Sequence, residues 1–278
     1  MKLLTVFSLF SFSILHITQA NLPPLADRLT RCGTGTAAKA ISGDRFILKS
    51  GESIKLAAIK APMLFYKDVG TVDRDRSWPY AVAARHALDR LIKNKALIFY
   101  CEGRRKDYQG RLVVYPALRD APNDLLNHTM VQQGFAWTYP YSGQKKAAFY
   151  FYKVEETARK NQRGLWNHKP YRPKAASQVQ TIPYHSFETI IGVVHKSARR
   201  GPYVYLNFSE QIYEDFTLKV PINFIPHYFN TDRLTSNPNK DYFKGIKIMV
   251  RGWTEKKGGP LITVDQKDRL IILSRQKI

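Results

Sequence analysis

The sequence has little acid, little sulfur and, past its first twenty residues, no long apolar run. Asp and Glu number 22 against 44 Lys and Arg, for a formal net charge of +22 and a pI near 10.0. The excess is not confined to one region: residues 21–170 hold 26 basic and 13 acidic side chains, and residues 171–278 hold 17 and 9. A surface of this sign draws polyanions and speeds their encounter, although generic colloidal or membrane-surface charge is the alternative. Two cysteines, Cys32 and Cys101, are too few for a zinc site, and His128, His168, His185, His195 and His227 lack metal-ligand spacing. No later segment reaches the ~20 apolar residues of a membrane-spanning helix. No sequence repeat relates the two halves.

What is present begins with Lys2, an apolar stretch from Leu3 to Ile17 and the small-x-small pattern Thr18-Gln19-Ala20. Residues 1–20 therefore read as a signal peptide cleaved before Asn21. The mature protein is expected to be exported, periplasmic or secreted, with no integral membrane segment after cleavage. Its oligomeric state is not legible from sequence.

At ~150 residues per domain the remaining length gives two modules. Period-2 runs at Ala38–Lys49 and Glu52–Ile59 flank Ser50-Gly51, a hairpin signal. From Pro79 to Lys93, Ala83, Ala84, Ala87, Leu88, Leu91 and Ile92 recur at helical spacing. Strands are expected at Ala96–Cys101 and Arg111–Leu118, and helices at Asn123–Gly134 and Gln144–Gln162, the last with Glu155, Glu156, Arg159 and Lys160 facing water. This order excludes an alternating βαβ sheet and indicates a small barrel with packed helices. A Pro-, Lys- and His-rich linker at 168–185 precedes six short β-runs. Residues 35–167 are thus expected to be α+β, an OB-fold five-stranded barrel with three helices, and residues 186–276 all-β, a barrel or sandwich, which the similarity of Val250–Pro260 to OB-type nucleic-acid-binding domains makes an OB-like barrel.

Gly43-Asp44, K-L-A-A-I-K-A-P-M at 55–63, D-Y-Q-G-R at 107–111, the N-x-x-L-x-x-x-x-V-x-x-G pattern ending at Gly134 and E-x-x-A-R-x-x-x-x-G-L-W at 155–166 together resemble the staphylococcal nuclease (thermonuclease) family, in its exported bacterial branch. The resemblance implies an OB barrel and calcium-dependent hydrolysis of phosphodiesters. In the family two aspartates and a carbonyl hold the cation, a glutamate activates water, and two arginines grip the phosphate. Asp44 matches the first aspartate and Arg111 the second arginine. Lys55 stands in place of the first arginine, Lys60 in place of the second metal aspartate, and Met63 in place of the glutamate. Strand 1 of such a barrel starts beside the end of strand 4, so a Cys32–Cys101 disulfide is expected, with two buried thiols as the alternative.

An ammonium in place of a ligand carboxylate repels a cation by about 4 kcal/mol per unit charge pair at ~4 Å and an effective dielectric near 20. No metal is therefore expected, with Asp44 the sole ligand if a cation binds; the simplest expectation is an Asp44–Lys60 ion pair. Asp68, Asp73, Asp75 and Asp107 are the carboxylates available to rescue the site, and solvated loop positions are their bland reading.

For binding, Lys60, Arg104, Arg105 and Lys106 are expected to surround the phosphate pocket beside Lys55 and Arg111. Tyr139 and Tyr141 resemble the family's nucleotide-contacting pair, with core packing as the alternative. Lys196, Arg199 and Arg200 read as a basic hairpin tip followed by Tyr203, while Trp253 reads as core. Two readings stay open: a degenerate nuclease that binds nucleic acid or another polyanion without efficient cleavage, and an active phosphodiesterase with a modified site, using calcium. A third is an envelope protein whose charge serves protein or lipid contacts.

Overall fold

Thirteen residues in one strand, Thr30–Ser42 (β1), organise the N-terminal half of the chain in the computed structural model. The structure describes residues 24–68, 71–141, 143–211, 215–228 and 243–274; the expected signal peptide at 1–20 lies outside them. Register shifts at Arg31/Gly33, Ala37/Lys39 and Ala40/Ser42 bend β1, as extra residues in a ladder do. Its first part pairs with Ala96–Cys101 and its second with Arg45–Leu48 (β2), which pairs in turn with Ser53–Leu56 (β3). With Ala96–Cys101 as β4 and Leu112–Leu118 as β5, the order is β3-β2-β1-β4-β5 with Ala121–Leu125 outermost, and β3 also pairs in parallel with β5. The shift at Arg31/Gly33 sets Cys32 beside Cys101, and the two form a disulfide with a Cα–Cα separation of 6.0 Å.

Helix α1 (Ala81–Ile92) buries Ala81, Ala84, Ala87, Leu88 and Ile92. Its small residues allow close approach: a Cβ on Gly43 would lie 2.6 Å from the Ala84 Cβ and 2.7 Å from that of Ala61. The glycine before Asp44 is therefore a packing requirement. The helix expected at Asn123–Gly134 is shorter, Leu126–Gln132 (α2), because Ala121–Leu125 pairs with β5 instead. Helix α3 spans Lys145–Lys160. The fold is mixed α+β.

In the second half, Phe187–Val193 (β6), Lys196–Arg200 (β7), Tyr203–Asn207 (β8), Thr217–Pro221 (β9), Lys247–Lys257 (β10), Gly259–Thr263 (β11) and Leu270–Ser274 (β12) share one sheet. Its path runs β6-β10-β11-β9-β8-β7, with β12 on β10. Lys196–Arg200 is a full edge strand, contrary to the expected hairpin tip. Arg200 pairs with Tyr203, so the turn needs only Gly201-Pro202, and Gly201 supplies the positive φ of 57°. Val204 and Leu206 face the core, as expected from their alternation with Tyr203 and Tyr205.

Residues 168–185, expected to be a linker, pack against the rest of the protein. Lys174–Ala175 adds a parallel pairing to β6, and the buried Tyr171 donates its hydroxyl to the Pro79 carbonyl at 2.5 Å. Glu155, expected to face water on α3, is 1% exposed. Arg251 of β10 reaches it through two bonds of 2.7 and 3.0 Å and also donates to the Thr138 carbonyl at 2.7 Å. A charge removed from water this completely requires such a partner. Trp137, Tyr139, Trp166, Tyr171 and Phe187 form an aromatic core joining the two halves.

Candidate functional site

The turn Gly43-Asp44 between β1 and β2, strand β3, the segment 59–64 and the loop before β5 converge on one pocket of ≈ 230 Å³. Ser42, Asp44, Arg45, Lys55, Lys60, Ala61, Met63, Arg111 and Tyr141 line it, with the exposed Tyr108 at its rim. Four basic side chains thus face one carboxylate.

Both oxygens of that carboxylate are engaged. Ser42 donates to Oδ1 at 2.7 Å, the Ala61 N–H to Oδ2 at 3.1 Å, and the Lys55 ammonium to Oδ2. Lys55 also donates to the Ile59 carbonyl at 3.1 Å. Burial on its own would raise the Asp44 pKa, but Lys55, then Lys60 and Arg45, hold it below the usual carboxylate range. Burial lowers Lys55 to about 8 despite the opposing pull of Asp44.

The expected Asp44–Lys60 pair is not formed; Lys55 takes that place. Lys55 lies on β3 between the core residues Ile54 and Leu56, so it points to the opposite face, where it is 6% exposed and meets Asp44. Lys60 lies on the two-residue strand Ile59–Lys60, which pairs with Trp137–Thr138. This directs its ammonium toward the rings of Trp78, at 5.8 Å, and Phe187, at 5.3 Å. Burial lowers the pKa of Lys60 as well.

Arg111 is held by Asp107, which accepts from its Nε at 2.7 Å and from its backbone N–H at 3.1 Å. No other bond of its guanidinium is found among the described residues, so the terminal nitrogens remain available to the pocket. Asp107 therefore positions an arginine and does not replace a metal ligand. Asp73 is buried and caps the turn at Arg76, and Asp75 is exposed; neither lines the pocket.

A calcium ion requires six to eight oxygen ligands, several of them anionic. Here the one carboxylate already accepts from three donors, three further cations line the same walls, and no group of three or more potential metal-ligating side chains occurs among the described residues. These residues do not fit the ion. Met63 also lines the pocket, and its thioether cannot take a proton from water.

The other expected binding residues fall elsewhere. Arg104, Arg105 and Lys106 are exposed and do not line this pocket; Arg105 borders a separate cavity beside the disulfide. Lys196, Arg199 and Arg200 are exposed on the edge strand β7, and Tyr203 lies under Lys219, its ring centroid 3.9 Å from the ammonium. Tyr139 is only 9% exposed and its ring is covered by Arg269 at 3.6 Å, so its core reading holds; Tyr141 does line the pocket. Arg269 is itself fixed by Asp265 and by the Pro140 carbonyl at 3.1 Å. Trp253, expected in the core, is 45% exposed.

Sequence reasoning missed Gln144, whose buried side-chain oxygen accepts from the N–H groups of Ala58 at 3.1 Å and Tyr141 at 2.9 Å. It ties the Tyr141 turn to the segment leading into Lys60. Its place just before a helix was the available signal.

No curated protein matches the chain. Residues 53–168 match the family model described as staphylococcal nuclease homologue. The match begins at Ser53, so Asp44 precedes it, while Lys55, Lys60, Met63 and Arg111 lie within it. The segment that supplies most of the pocket is therefore similar to the staphylococcal nuclease homologue family.

Proposed function

We propose that this is an exported, nuclease-like protein of OB-type architecture that binds nucleic acid or a related polyanion without efficient cleavage. The observation that carries this reading is the pocket itself, in which four cations surround one carboxylate whose charge Lys55 already satisfies. Arg111 presents free guanidinium nitrogens suited to phosphate oxygens, with Lys60 and Arg45 supplying further positive charge. Binding needs no more than this. Hydrolysis needs an activated water, and loss of a general base commonly costs 10²–10⁴-fold in rate, on the order of 3–5 kcal/mol of barrier. The net charge of +22 favours rapid encounter with a polyanion. The signal-like residues 1–20 and the disulfide support export to an oxidising compartment.

The test pairs two measurements on the mature chain. Oligonucleotide binding is titrated against salt, and cleavage of DNA and RNA is followed with calcium and with chelator. Binding that weakens steeply with salt, without turnover in either condition, is the expected result. Multiple-turnover cleavage abolished by Arg111→Ala establishes the phosphodiesterase instead, and binding insensitive to salt points to an envelope interaction protein.

A further inference from the structure

We propose that Trp253 is a base-stacking platform, so that a single-stranded nucleic acid anchored by phosphate in the pocket runs onto the second half of the protein. This rests on the anion-binding reading of the pocket. The tyrosine first expected to stack a base is not free, because Arg269 from the second half covers the Tyr139 ring. That same half offers another aromatic surface close by.

Lys60 connects the two. It lines the pocket and also lies 5.8 Å from the Trp78 ring. The Trp78 and Trp253 centroids are 5.8 Å apart, edge to face. Trp253 pairs across the strands with Phe187, at 5.9 Å and also edge to face. The indole is therefore held in place before any ligand arrives, yet 45% of the residue is exposed.

Two edge-to-face neighbours hold the ring while nearly half of the residue stays in water, and that surface is what a base would meet. A large apolar side chain kept in water beside a cationic pocket matches an unpaired base adjoining a phosphate. A duplex keeps its bases stacked on one another and cannot use this surface. Tyr108, which lines the pocket and is 82% exposed, supplies a second aromatic surface.

The experiment measures binding of a ten-residue thymidine oligonucleotide and of a duplex, across a range of salt, for the wild type and for Trp253→Ala, Trp253→Phe and Arg111→Ala. Trp253→Ala should weaken single-strand binding about tenfold or more, with the salt slope unchanged because no charge is lost, and should leave duplex binding intact. Trp253→Phe should recover most of that loss. Arg111→Ala should weaken both ligands and reduce the slope by about one. The platform is overturned if Trp253→Ala binds single strands like the wild type, or if it loses single strand and duplex equally. A wild type that binds neither ligand overturns the pocket reading and the platform with it. Guanidinium midpoints of the variants guard against loss of folding as the cause.

Discussion

The Lys55 ammonium donates to the Asp44 carboxylate inside a pocket wall where both residues are less than a tenth exposed. Removing one partner of such a pair strands the other charge without water. Asp44→Asn should therefore destabilise the fold by about 3–5 kcal/mol, whereas Asp44→Leu combined with Lys55→Met should recover much of the loss. Chemical denaturation of the two variants beside the wild type decides this, and an Asp44→Asn variant of full stability would refute it.

The same pair sets an acid limit. The folded-state pKa of Asp44 lies below its ordinary 3.8, so its contribution is fully present above that value and is lost as pH falls toward the folded-state pKa. Wild-type denaturation midpoints should drop as pH falls below about 4. The Leu/Met double variant should show a shallower drop over the same range; equal slopes would remove Asp44 from the explanation.

Arg251 and Glu155 join α3 to β10 through a buried bidentate contact. Arg251→Met leaves Glu155 charged and dry, and should lower stability by about 3–5 kcal/mol. Adding Glu155→Gln should return part of it, which a double-mutant cycle in guanidinium would measure.

The Cys32–Cys101 bridge spans 69 residues of sequence. Reduction, or replacement of both cysteines by serine, should cost about 4 kcal/mol through the freed unfolded chain. Thermal scans with and without reductant provide the check.

Reintroducing carboxylates tests why the pocket does not suit calcium. Lys60→Asp with Met63→Glu removes one cation and adds two anions beside Asp44. Calorimetry should detect calcium binding to this variant and none to the wild type; binding to both would mean that the pocket charge does not exclude the ion.

Much of this site was legible in the chain. The resemblance singles out Asp44, Lys55, Lys60, Met63 and Arg111, and the strand and helix periods locate α1, β4 and β5; the run expected at Ala38–Lys49 is divided by the Gly43-Asp44 turn into the end of β1 and β2. The pairing of Cys32 with Cys101 follows from the same strand order. Charge is a property of composition and needs no fold.

Other features depended on residues far away in sequence. Lys55 and Lys60 are five positions apart, and either could have met Asp44. The register of β3 buries Ile54 and Leu56 in the core and turns Lys55 to the opposite face, toward Asp44, and pairing of the Ile59–Lys60 strand with Trp137–Thr138 sent Lys60 toward the aromatic rings. Glu155 looked like a solvated helix residue because Arg251, its partner, lies 96 positions away. Tyr139 and Trp253 exchanged their expected roles for the same reason: Arg269 covers one, and the other, paired across the strands with Phe187, keeps 45% of its surface in water. Local pattern determines which residues form an element and which side chains carry charge; burial and partnership are set only when distant segments compete for the same space.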